Sequence, residues 1–105
     1  MLRIYPVALD VLRSLRTIIA QLERHDTDLA KQLRRASASV VLNLAEGMYS
    51  RGKNRSARYH SALGSMRETM ACVEVGLALG YLTAVDEKLM HTMDVIVGTL
   101  VKLVR

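Results

Sequence analysis

The sequence has no phenylalanine and no tryptophan, and only one cysteine and one proline. Without the large aromatics, a core must be assembled from Leu, Val, Ile, Ala and the six methionines, whose unbranched thioethers fill irregular gaps. Such a core suits helices. The single thiol, Cys72, cannot close an internal disulfide, which fits a reducing compartment. One proline, six glycines and no Ser/Pro-rich or low-complexity stretch leave no linker, so residues 1–105 are expected to form a single domain. No apolar run approaches the roughly 20 residues needed to cross a bilayer. Asp10, Arg13 and Arg16 interrupt the apolar run that a secretory signal requires. The expected location is the cytoplasm, with no membrane partner.

Half of the 105 residues are hydrophobic, enough for one buried core. The formal net charge is +5 and is unevenly placed. Up to Arg67 there are twelve Lys/Arg against five Asp/Glu; from Glu68 onward there are three against five. A basic surface on the first two-thirds favours an acidic partner such as nucleic acid, although a charge excess also serves solubility.

Apolar residues recur at helical spacing in four segments and nowhere with period two, so no strand is expected. Pro6 opens a first helix running to about Arg24, with Val7, Val11, Leu15, Ile18 and Leu22 on one face. Oxygens in His25-Asp26-Thr27-Asp28 cap a second helix, whose row is Leu29, Leu33, Ala36, Val40, Leu44 and Met48 and whose end falls between Gly47 and Ser50. A basic turn, Arg51-Gly52-Lys53-Asn54, leads to a long third helix carrying Tyr59, Ala62, Leu63, Met66, Met70, Val73 and Leu77, which Gly80 stops. Thr83 caps a fourth helix with Asp86 in its first turn and Val85, Leu89, Met93, Ile96, Leu100 and Leu103 on one face. Four such helices joined by short turns predict an all-α fold, an antiparallel up-down-up-down four-helix bundle. Second apolar rows, at Cys72, Val75 and Leu79 and at Met90, Val97, Val101 and Val104, predict contact between subunits through the last two helices.

Little here points to catalysis. Gly47 to Lys53 has the spacing of a phosphate-binding P-loop, but Asn54 replaces the Ser or Thr that holds magnesium and no strand precedes it. His25, His60 and His91 lie on or beside different helices, with no Glu-x-x-His pair to shape a metal site. Cys72 sits mid-helix among apolar residues, where a cysteine is an inert core residue. No catalytic residue, metal or cofactor is expected. A polar stripe on the second helix, Gln32, Arg35, Ser39, Asn43 and Glu46, matches Ser61, Gly64, Ser65 and Glu68 on the third. The expected polar network comprises Ser39, Asn43, Glu46, Ser65 and Glu68, with a structural role in register or subunit contact. Acid–base chemistry would instead need Glu46 and Glu68 to converge in a cleft. The candidate nucleic-acid contacts are Arg34, Arg35, Arg51, Lys53, Arg55 and Arg58, read as gathered around the second turn, with Arg13 and Arg16 added from the first helix. Tyr49 and Tyr59 are the nearby aromatics on which a base could stack.

The sequence Gln32-Leu33-Arg34-Arg35-Ala36, then Ser39, Asn43-Leu44-Ala45-Glu46-Gly47 and Arg51, resembles the four-helix bundle proteins encoded in intervening sequences of bacterial 23S ribosomal RNA genes. Ala62-Leu63-Gly64-Ser65 with Glu68, and Leu79-Gly80-Tyr81-Leu82, continue the resemblance over the middle half of the chain. It implies a homopentameric ring, in a group that takes in the accessory variability proteins of diversity-generating retroelements, which bind nucleic acid and a reverse transcriptase through basic surfaces. Where relatives commonly carry an acidic residue and Phe after the turn, this chain has Arg55, Ser56, Ala57, Arg58 and Tyr59, a more basic start to the third helix. The resulting expectation is a non-enzymatic oligomer that binds RNA or DNA, as an accessory to a reverse transcriptase or in association with ribosomal RNA. The rival is a scaffold or adaptor that binds protein only.

Overall fold

The computed structural model describes residues 2–105. It contains four helices, α1 (Ile4–Glu23), α2 (Thr27–Met48), α3 (Gly52–Ala78) and α4 (Glu87–Leu103), and no strand among the described residues. Each helix packs on the one before it, and α4 closes the square against α1. With connections this short, the antiparallel bundle follows, 42 Å long and 24 by 20 Å across. The apolar rows read from the sequence meet in its centre. Leu15, Leu22, Leu33, Leu44, Met66, Val73, Met93, Ile96 and Leu100 are all fully buried.

The helix ends differ in detail from the expectations. α1 starts at Ile4, so Pro6 is its third residue; a first-turn N–H has no intrahelical acceptor, and proline fits there as well as at the first position. Asp26 caps α2, its carboxylate accepting from the Leu29 N–H at 3.0 Å. The turn before α3 is only three residues long, Tyr49 to Arg51. Gly52 takes a positive φ of 57°, and the Arg51 carbonyl already accepts from Asn54 and Arg55, so Lys53 and Asn54 belong to the helix. Gly80, at φ 78°, ends α3 as expected: its N–H donates to the Leu77 carbonyl and that of Tyr81 to the Gly76 carbonyl. Thr83 does not cap α4. Residues 83–85 bridge the bundle end in an irregular loop, and Asp86 is the cap, accepting from the Lys88 N–H at 3.0 Å.

The second apolar rows are largely consumed inside the monomer. Cys72 is buried, and Met90, Val97, Val101 and Val104 lie half-buried against the core. Val75 and Leu79 remain exposed. The most exposed large apolar side chains are instead Leu42 on α2, at 64%, and Tyr49, the first residue after it, at 89%.

Candidate nucleic-acid interface

The up-down topology places the start of α1, the α2–α3 turn and the end of α4 at one end of the bundle. A cleft there of about 610 Å³ is lined by Leu2, Arg3, Met48, Gly52, Arg55, Ser56, Tyr59 and Leu103. Around it stand Arg3, Arg51, Lys53, Arg55, Lys102 and Arg105, all exposed, with Arg58 one turn further along α3. Glu46 approaches this surface, its carboxylate 4.0 Å from Nε of Arg58, with both side chains half or more exposed. Such a surface pair screens little of the surrounding charge. α3, the longest helix, directs its N-terminus to this end with no acidic residue in its first turn and no side-chain cap, so its dipole adds to the positive field. At the opposite end Glu23, Asp26, Asp28, Glu74, Asp86 and Glu87 outnumber Arg24, Lys31 and Lys88. The molecule therefore has a basic pole and an acidic pole.

Of the residues expected to contact nucleic acid, the structure brings together Arg51, Lys53, Arg55 and Arg58. Arg55 has a second task, since its Nε donates to the carbonyls of Ser50 at 2.9 Å and Gly47 at 3.2 Å and so satisfies the last turn of α2. Arg34 and Arg35 are not part of the cluster. They lie about 20 Å from the turn along the axis of α2, at 1.5 Å per residue. Arg34 sits 3.4 Å from Glu23 and lines a groove between α1 and α2, opposite Arg16. Arg13 pairs with Asp10 at 2.6 Å on the outside of α1. Arg35 lines a separate polar groove between α2 and α3. Sequence reading missed Arg3, Lys102 and Arg105, although the topology it predicted already carries both chain termini to the α2–α3 turn. Tyr59 is buried and cannot stack on a base, whereas Tyr49 is free to do so.

The polar stripes of α2 and α3 face each other. Ser39 Oγ and Ser65 Oγ are 2.8 Å apart, and Asn43 Nδ2 donates to both the Oγ and the carbonyl of Ser39. Gln32 Nε2 reaches Glu68 at 3.4 Å, and Thr69 Oγ1 donates to the Ser65 carbonyl at 2.8 Å. Glu46 and Glu68 do not meet: they are about three to four helical turns apart along the antiparallel pair, at the Arg58 and Gln32 contacts respectively. Cys72 lies beyond Glu68 on α3. Burial, with the Glu68 charge as a smaller cause, pushes its thiol above the usual range. Among the described residues no cluster of His, Cys, Asp or Glu could hold a metal ion, and no helix is long and apolar enough to cross a membrane.

Residues 1–102 match the family described as 23S rRNA-intervening sequence protein. No curated protein and no solved structure matches the chain.

Proposed function

The chain belongs to the family of 23S rRNA-intervening sequence proteins, and from that premise we propose that it is a non-enzymatic cytoplasmic protein that associates with copies of itself and binds RNA through its basic pole. The observation that carries this reading is the gathering of Arg3, Arg51, Lys53, Arg55, Arg58, Lys102 and Arg105 at one end of the bundle, where Glu46 approaches Arg58 alone. Phosphate backbones bind such a surface by releasing counterions, without base-specific contacts, so affinity falls steeply with salt and sequence preference is weak. DNA presents the same phosphates. The family's ribosomal name favours RNA.

Two roles fit this chemistry: attachment to ribosomal RNA, and service as an accessory to a reverse transcriptase. A scaffold that binds only protein is the competing reading, favoured by the exposed Leu42 and Tyr49. Fluorescence anisotropy with a labelled 23S rRNA fragment and a single-stranded DNA of equal length, each over a salt series, separates these readings. Salt-dependent binding of either strand supports the proposal, with tighter RNA binding placing the protein on the ribosomal side. Absence of binding at low salt leaves the scaffold.

A further inference from the structure

The cleft at the basic pole has a chemistry that phosphate binding alone does not use. Part of its wall is apolar, with Leu2 from before α1, Met48 from the last turn of α2 and Leu103 from the end of α4. The Leu2 N–H rests on the Met48 sulfur at 3.5 Å and ties two of these together. Arg3, Arg55, Ser56 and the Gly52 backbone make up the polar side, and no carboxylate is among the described residues that line it. Arg55 is held in place there, because its Nε donates to the carbonyls of Gly47 and Ser50 while its terminal nitrogens stay free for an anion. At about 610 Å³ the space falls within the roughly 300–1,000 Å³ of sites that take small organic ligands.

Tyr59 supplies the second signal. It lines the cleft although it is only 6% exposed, and its hydroxyl has no hydrogen-bond partner among the described residues. No fully enclosed polar side-chain atom among those residues lacks a partner, so the hydroxyl belongs to what Tyr59 leaves open, and that opening is the cleft. A phenol this deeply buried normally finds a partner within its own fold. Here the partner has to come from outside.

We propose that this cleft takes one unpaired nucleotide of a single-stranded RNA. The base lies against Met48 and the two leucines, its polar edge meets the Tyr59 hydroxyl, and its phosphate stays at the mouth with Arg3 and Arg55. An alkyl phosphate would suit the apolar wall and the arginines equally well, but it would leave the Tyr59 hydroxyl facing hydrocarbon. A base has both an apolar face and hydrogen-bonding edges. In a duplex the faces are stacked and the pairing edges occupied, so only a splayed nucleotide can enter. Tyr49, next to Met48 in the chain and 89% exposed, is available for the neighbouring base to stack on.

This site rests on the reading that the basic pole binds RNA, and it specifies the form of RNA bound. The test is fluorescence anisotropy on the full chain with a short single-stranded RNA and with the same strand annealed to its complement. Ser56→Trp fills the cleft without changing charge, and Leu103→Trp closes it from the α4 side. Tyr59→Phe removes the hydroxyl and keeps the ring. Each variant is first checked for an unchanged helical melt. Either tryptophan should weaken single-strand binding about tenfold, the scale of one lost base contact. Tyr59→Phe should weaken it about fivefold, the scale of one hydrogen bond. Duplex affinity and both salt slopes should stay at the parent's values. Single-strand binding that survives all three changes, or falls equally for the duplex, overturns the cleft site and leaves the basic pole standing. A parent that binds neither strand at low salt overturns both. In a parallel titration followed by amide NMR, adenosine monophosphate should shift the signals of Gly52 and Ser56. Shifts with decyl phosphate but none with adenosine monophosphate would overturn the nucleotide in favour of an alkyl phosphate.

Discussion

The ring of Tyr59, near the start of α3, packs against Gly47 in the last turn of α2, so close that a Cβ on residue 47 would stand 2.7 Å from Cδ1. This contact sets how tightly the two helices close below the basic pole, because Tyr59 is itself buried and backed by the core.

Gly47→Ala should therefore destabilise the fold. Alanine gains about 0.5–1 kcal/mol of helix preference over glycine. Forcing an aromatic ring out of a packed position costs about 1–3 kcal/mol, and that term wins. Gly64 in the middle of α3 has nothing within contact of an added Cβ, so Gly64→Ala should stabilise by up to about 1 kcal/mol. Urea denaturation of the two variants reads opposite signs.

The two candidate caps of α4 are separable. Asp86→Ala removes the acceptor of the Lys88 N–H and should cost about 1 kcal/mol, whereas Thr83→Ala should cost almost nothing. Equal losses in thermal melts would mean that Thr83 also caps.

Between α2 and α3, Ser39→Ala and Ser65→Ala each break the hydroxyl pair. Because the site is half-buried, each should cost about 0.5–1.5 kcal/mol. The double variant should cost less than the two losses added, since the second change removes a group already left without its partner. A strictly additive cycle would mean the two hydroxyls do not interact.

Cys72 should react with thiol reagents far more slowly in the folded chain than in the unfolded one. Its folded thiol ionises above the usual range, through burial first and the Glu68 charge second. The unfolded chain releases this proton from about pH 8.5, so above that pH it binds fewer protons than the folded chain and stability falls as pH rises. Below pH 8.5 the group adds no pH dependence. Cys72→Ala should flatten this alkaline decline, as seen in urea midpoints measured from pH 7 to about 10.

The four helices and their core faces were legible because apolar spacing of three and four residues leaves few alternatives, and the short turns then forced the antiparallel order. The ends were less so. Asp86 and Thr83 are both good caps within a few residues of each other, and only the path of the loop over the bundle end decides between them. Arg34 and Arg35 read in the sequence as neighbours of the turn because α2 leads into it, although about four turns of that helix separate them from it. The signal for Arg3, Lys102 and Arg105 was present in the topology. Leu42 was hidden for a different reason: it follows Val40 and Val41, and inside a continuous apolar run the helical period does not say which residue turns outward.

The central claim is that the basic pole, and not the chain's overall positive charge, holds RNA. The most direct test compares two triple variants with the same net charge, Arg51→Ser/Lys53→Ser/Lys102→Ser at the pole and Arg13→Ser/Arg34→Ser/Arg35→Ser along the helices, by anisotropy with a single-stranded RNA over a salt series. The account predicts that the pole variant lowers the slope of log affinity against log salt by about 2, at roughly 0.7 per lost phosphate contact, while the other variant stays near the parent. Equal losses in the two variants, or a parent whose binding ignores salt, would contradict it.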